Sequence, residues 1–259
     1  MKKLITFGDS WVWGVGAGFT TGMTKKEYRK IAWDESYTDK SFRVLLAQDY
    51  GAENKNFSVG GSSNQQQIRF AAEFFIKNSK FFIKNKDKWS DDIVVLWGLT
   101  SVYRTELFDV ESGFYFNQFI PGKISDPGGD FGKIYGVSHF NETVETERLY
   151  YHVELFNSLF RESEIKNYWF NIFNEHQFPK VPDNMLFGGR SLLSILIDTD
   201  LKDDSYHKSD FLDVDWKITK AKDMGLVNPY TGHPTQEGHR KIFQHFKDEL
   251  SEKLKKTLG

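Results

Sequence analysis

What most narrows the fold of this chain is an alternation: apolar runs of strand length recur, separated by longer stretches with helical spacing. That alternation is the signature of βαβ units and a parallel sheet, so the expected fold class is α/β. Its clearest member is Ile93 to Trp97, whose unbroken apolar run suits a strand covered on both faces. Lys3 to Phe7 reads as the first strand, Asn56 to Val59 as the second and Tyr168 to Phe173 as the fourth. Helices are predicted over Asp39–Tyr50, Gln65–Phe82 and Val144–Phe160, with a last amphipathic helix over Glu237–Leu254. In the first of these, Phe42, Leu45 and Leu46 follow three-to-four spacing and Gly51 supplies a stop; in the second, Ile68, Ala71, Ala72 and Phe75 share a face.

A chain of 259 residues buries a sizeable core as one domain. No repeat, low-complexity tract or Pro- or Ser-rich linker divides it, so 1–259 is read as a single domain. Two stretches, at about 105–142 and 199–232, read as irregular insertions, the first of them Gly-rich. Loops of that length carry lids and binding surfaces, which is where substrate specificity is expected. The absence of cysteine excludes disulfides, thiol nucleophiles and thiolate metal sites. A formal net charge of -2 without a basic block argues against a nucleic-acid partner. Lys2 and Lys3 precede only Leu4 to Phe7, too short an apolar run for a signal peptide or membrane span, so a soluble, cytoplasmic protein with no membrane partner is expected; oligomeric state is left open. Aromatic residues make up 16% of the chain, most of them assigned to the core; Trp11, Trp13 and Trp33 are the candidates for a surface that stacks on a sugar.

In an open parallel sheet, ligands sit beyond the carboxyl ends of the strands, and the chemistry-bearing residues of this sequence fall there. The first strand ends in Phe7-Gly8-Asp9-Ser10, the second runs into Asn56-Phe57-Ser58-Val59-Gly60-Gly61-Ser62-Ser63-Asn64, and the third ends in Leu96-Trp97-Gly98-Leu99-Thr100-Ser101. The last loop carries Gly232-His233-Pro234-Thr235-Gln236-Glu237-Gly238-His239. In this order the four segments resemble the four sequence blocks of the SGNH (GDSL-type) hydrolases, a family of serine esterases and lipases. The resemblance implies a three-layer α/β/α, flavodoxin-like fold and a serine ester hydrolase, without a cofactor, that acts through an acyl-serine intermediate on a small-molecule or glycan ester.

Residue by residue, the resemblance makes Ser10 the nucleophile and His233 its base, because a serine hydroxyl attacks poorly until a neighbour accepts its proton. It gives the oxyanion hole to the N–H groups of Ser10 and Gly61, and to Thr100, which stands where the family usually carries Asn. The family's usual Asp, three residues before the His, is replaced by Tyr230; a backbone carbonyl, Asn228 or a carboxylate such as Asp223 is left to orient the imidazole. Asp9 is read as fixing the turn that presents Ser10, Asn56 and Asn64 as scaffolding for the Gly61 loop, and Trp11 and Trp13 as substrate-binding. Arg104 lies four residues after Thr100 and would share its face if a helix started there, as a salt-bridge partner or an anchor for an anionic group. Gly14, Gly16 and Gly18 lack a phosphate-loop ending and read as a flexible loop beside the site. His233, His239 and His245 recur every six residues, a spacing that disperses them around a helix, so no metal site is expected. Two other readings stay open: a catalytically impaired binding module on the same scaffold, for carbohydrate or another ligand, and a flavodoxin-like nucleotide-binding protein.

Overall fold

The computed structural model of the chain describes residues 1–78, 92–109, 114–119, 140–198 and 210–256. Four strands, β1 (Lys3–Phe7), β2 (Glu53–Asn56), β3 (Ile93–Leu99) and β6 (Lys166–Asn171), form a sheet in the order β2-β1-β3-β6, every neighbouring pair parallel. A separate antiparallel pair joins β4 (Arg104–Asp109) to β5 (Phe114–Phe119). The helices are α1 (Ser10–Trp13), α2 (Lys25–Ile31), α3 (Phe42–Asp49), α4 (Asn64–Lys77), α5 (Glu142–Glu162), α6 (Leu192–Leu196), α7 (Asp210–Asp223) and α8 (Gln236–Lys256).

Alternation along each strand builds two cores. Leu4, Val94, Leu96 and Phe170 point to one side of the sheet, against Phe42 and Leu46 of α3 and Ile242, Phe246 and Leu250 of α8. Ile5, Phe7, Val95, Trp97 and Trp169 point to the other, against Ala71 and Phe75 of α4 and Val153, Phe156 and Phe160 of α5. The result is the three-layer α/β/α arrangement, and it explains why β3 is apolar at every position: neither face meets water. The aromatic richness has a matching use. Phe57, Phe7, Trp97 and Trp169 stack in turn across the sheet, with ring centroids 5.1, 4.5 and 4.5 Å apart.

The structure corrects four sequence expectations. β2 lies three residues earlier than predicted, because this edge strand is the polar run Glu-Asn-Lys-Asn, while the apolar Phe57 stacks on the core from the following loop. β6 begins at Lys166, two residues early. The stretch at 105–142 is not wholly irregular, since the antiparallel β4–β5 pair lies near its start and Arg104 opens a strand rather than a helix. The stretch at 199–232 contains α7. Residues 79–82 of the second predicted helix, and 110–113, 120–139 and 199–209 of the two insertions, lie outside the described residues. Among the described residues no helix is long and apolar enough to cross a membrane.

Candidate active site

From β1 the chain crosses to β2 on one side and then returns to β3 on the other, so the carboxyl end of β1 is a topological switch point, where the connections diverge and leave a crevice. Ser10 stands there, as the first residue of α1 and 4% exposed. Asp9 caps that short helix: its Oδ1 accepts the Trp11 N–H at 2.9 Å. Its Oδ2 accepts the Thr100 hydroxyl at 3.1 Å and the Arg104 guanidinium at 2.9 Å. Burial pushes the Asp9 carboxyl above its ordinary range, and the charge of Arg104 works against that rise. The serine turn is thereby pinned to the β3–β4 connection by a buried ion pair. Thr100, expected at the oxyanion hole, instead commits its hydroxyl hydrogen to Asp9, because the carboxylate lies within reach and outcompetes open space as an acceptor.

The second block is fastened at both ends. Asn56 Oδ1 accepts the Thr6 hydroxyl at 2.9 Å and the Ser58 N–H at 3.1 Å. Asn64 clamps Thr100, donating from Nδ2 to its carbonyl at 2.8 Å and accepting its N–H at 2.9 Å. Both asparagines therefore scaffold the intervening loop, in which Gly61 adopts a φ of +75° and stays exposed. His176, which the sequence did not single out, adds a third contact to Thr100: burial pushes it down to about 4, and as a neutral ring it donates from Nε2 to the same carbonyl at 3.0 Å.

At the other end of the chain, Val227 and Pro234 form an isolated antiparallel bridge that pinches off the loop carrying His233. The Asn228 N–H donates to the His233 carbonyl at 2.8 Å, and the Gly232 N–H to the Asn228 carbonyl at 3.1 Å. His233 Nε2 lies 2.8 Å from Ser10 Oγ, joining residues 223 positions apart. Burial first, and then the charge of Arg104, hold this imidazole down at about 4, so it is neutral near pH 7. Its Nδ1 faces the Thr231 hydroxyl at 2.8 Å, and that hydroxyl donates to Asn228 Oδ1 at 3.0 Å. The sequence motifs do not single out Thr231, although its place two residues before the His and three after Asn228 was the available signal. Tyr230, at the position of the missing Asp, turns away: its hydroxyl donates to the Met23 carbonyl at 3.0 Å and its ring packs on Phe19 and Tyr28.

Gly16 permits the two ends to meet. At φ +93°, a Cβ placed there would stand 2.2 Å from the Pro234 carbonyl oxygen and 3.1 Å from the His233 Cβ. The segment 14–17 is buried, so the expected flexible loop is a packed one, required by close approach rather than mobility. His239 is fully buried as well, accepting the Phe42 N–H at 3.5 Å on Nδ1 and donating to the Val15 carbonyl at 3.4 Å from Nε2; burial pushes it down to about 3. Among the described residues no group of three or more His, Cys, Asp or Glu is placed to hold a metal ion.

Ser10 and His233 open on a cleft of about 450 Å³ whose lining includes Arg104, Phe173, Asp215, Ile218 and Lys222. One wall is α7. A buried pair anchors it: Lys217 donates to Glu175 at 3.0 Å, and Glu175 also accepts the hydroxyls of Ser191 and Ser194. Burial works to raise the Glu175 carboxyl, but Lys217 and these hydroxyls hold it below the usual range. The tryptophans divide differently from expectation. Trp11 is 1% exposed, edge-on to Phe173, and contributes wall rather than an open face. Trp13 leans on Trp33, which is 58% exposed with its ring 6.5 Å from that of His233, so Trp33 is the open indole beside the site.

No family model matches the sequence, and no curated protein matches it. The solved structures it resembles are GDSL-type lipolytic proteins and esterases. A putative G-D-S-L lipolytic protein of Desulfitobacterium hafniense is 11% identical, with 95% of this chain and 97% of that one covered and a TM-score of 0.38. The psychrotrophic esterase EstA of Pseudoalteromonas is 8% identical over 98% of this chain and 100% of its own, with a TM-score of 0.43. An acetyl xylan esterase of Butyrivibrio proteoclasticus is 12% identical over 98% of this chain but 64% of its own, with a TM-score of 0.48.

Proposed function

We propose that the chain is a serine ester hydrolase of the SGNH type, working through an acyl-Ser10 intermediate on short-chain esters that include acylated sugars. One observation carries the reading: a buried serine at a sheet switch point, 2.8 Å from the Nε2 of a neutral histidine. Ser10 Oγ attacks the ester carbonyl carbon as its proton moves to His233 Nε2. The backbone N–H groups of Ser10 and Gly61 receive the oxyanion, a kind of contact in which losing one donor costs on the order of a hundredfold in rate. The carbon–oxygen bond to the alcohol breaks, and the leaving oxygen takes the proton from Nε2. Water then repeats the sequence, releasing the acid and restoring the Ser10 hydroxyl. Thr100 and Arg104 hold Asp9 and, through it, the turn that aims the nucleophile.

Phe173 and Ile218 offer apolar contact to an acyl group, while Asp215 and Lys222 offer hydrogen bonds to a polyhydroxyl alcohol. The test is turnover of p-nitrophenyl acetate and of acetylated oligosaccharides by wild type, Ser10→Ala and His233→Ala. Only the wild type is expected to turn over, and equal rates in all three would end the reading. A binding module is the second reading, favoured by the hydroxyl that stands behind His233 in place of a carboxylate. Stoichiometric labelling of Ser10 by a fluorophosphonate excludes it.

A further inference from the structure

The hydrogen bonds behind His233 form a chain in which each donor and acceptor is forced. Asn228 is fully buried, and its amide cannot be reversed: one end faces the His233 carbonyl at 3.2 Å and must be the NH₂. The other end faces the N–H groups of Tyr230 at 3.1 Å and Thr231 at 2.9 Å and must be the oxygen. The Thr231 hydroxyl, 3.0 Å from that oxygen, has no choice but to donate to it. Its lone pairs are then what His233 Nδ1 meets at 2.8 Å, so the ring proton sits on Nδ1 and the lone pair of Nε2 points at Ser10.

We propose that Thr231, its rotor set by Asn228, is the positioning residue for the catalytic base, a neutral hydroxyl doing the orienting task of a carboxylate. The inference rests on the esterase reading and adds a consequence to it. A hydroxyl selects the tautomer and fixes the ring, yet it brings a dipole rather than a full negative charge to the imidazolium formed in the transition state. The charges that face the imidazole from neighbouring elements do not make up the difference. Arg104 on β4 opposes protonation and is neutralised by Asp9 at the end of β1; Asp215 and Lys222 on α7 line the same cleft with opposite signs. Behind the loop, the Tyr28 phenol of α2 stands 3.4 Å from the Thr231 oxygen, and His239 of α8 is itself uncharged. Restoring a carboxylate behind Nδ1 is therefore expected to raise the basicity of His233.

The experiment compares Thr231→Val, Thr231→Ser and Thr231→Asp with wild type by kcat, KM, the pH profile of p-nitrophenyl acetate hydrolysis, and the imidazole ¹⁵N resonances of His233. Thr231→Val should lower kcat roughly tenfold to a hundredfold with KM unchanged, as expected for a group that acts on the transition state. Thr231→Ser should restore it. Thr231→Asp should move the acid limb of kcat/KM and the ¹⁵N titration of His233 to higher pH. Equal kcat in the valine variant, or an unmoved His233 titration in the aspartate variant, overturns the proposal. If the valine variant fails to fold, the serine and aspartate variants decide. Failure of the esterase reading is told apart by a wild type that no fluorophosphonate labels; the ¹⁵N arm still decides then, since a His233 tautomer unchanged in Thr231→Val removes Thr231 from any positioning role.

Discussion

The two segments that meet at the site are held by different physics. The serine turn at the end of β1 is fixed by a charge: Asp9, without solvent exposure, pairs with Arg104 and takes two further hydrogen bonds. The histidine loop between Val227 and Pro234 is fixed by neutral groups alone, through Asn228 and Thr231, and Thr231 is exposed. A buried ion pair is costly to break because a stranded charge remains, whereas a rim hydroxyl can exchange its partner for water. The proposed nucleophile thus sits on the stiffer support and the proposed base on the softer one, and substitutions on the two sides should separate stability from turnover.

The largest effect expected is on turnover. Ser10→Ala and His233→Ala should each lower kcat by about 10⁴-fold or more while leaving the circular dichroism spectrum intact, and the double variant should be little worse than either, because the pair acts as a unit. An additive double variant in steady-state kinetics would break the claim that the two segments form one device. Next, Arg104→Met should destabilise the fold by about 3–5 kcal/mol, read as a lower denaturation midpoint, because it strands the Asp9 carboxylate. By contrast Thr231→Val, at the rim, should change that midpoint by less than about 1 kcal/mol. Equal losses from the two would erase the distinction between a charged and a neutral support.

A smaller change is expected from Gly16→Ala. The added Cβ would meet Pro234, at a φ that disfavours side chains. We expect about 1–3 kcal/mol of lost stability together with a disproportionate fall in kcat, as the two segments are pushed apart. The gentlest prediction concerns pH. Protonation of His233 removes its acceptor, so kcat/KM should fall as pH drops through about 4 and change little from there to neutrality. An acid limb near the ordinary histidine value would show that the imidazole is better solvated than its burial implies.

The framework was legible because both faces of the sheet are covered: Ile93 to Leu99 has no polar position to disguise it, and the helices that bury it keep their three-to-four spacing. β2 was misplaced because an edge strand of Glu, Asn and Lys carries no apolar signal, and α7 was missed because it lies within a stretch read as an insertion. The contact between Ser10 and His233, the proposed nucleophile and base, could be anticipated because each residue is tied to a short local motif at the end of an element. Asp9 as the cap of the serine turn and Asn56 and Asn64 as scaffolding were legible too, but the remaining contacts around the pair were not. That Thr100 serves Asp9 and that Trp11 is wall while Trp33 stays open depend on contacts between segments far apart in the chain, and that Thr231 stands behind His233 depends on the exact path of a short loop.

Sequence by itself determined which groups can do chemistry and which strand ends carry them, because side-chain type and hydrophobic period are local properties of the chain. Tertiary structure alone decided which hydroxyl meets which acceptor, since a hydrogen bond is a matter of a few tenths of an ångström between segments that only packing brings together.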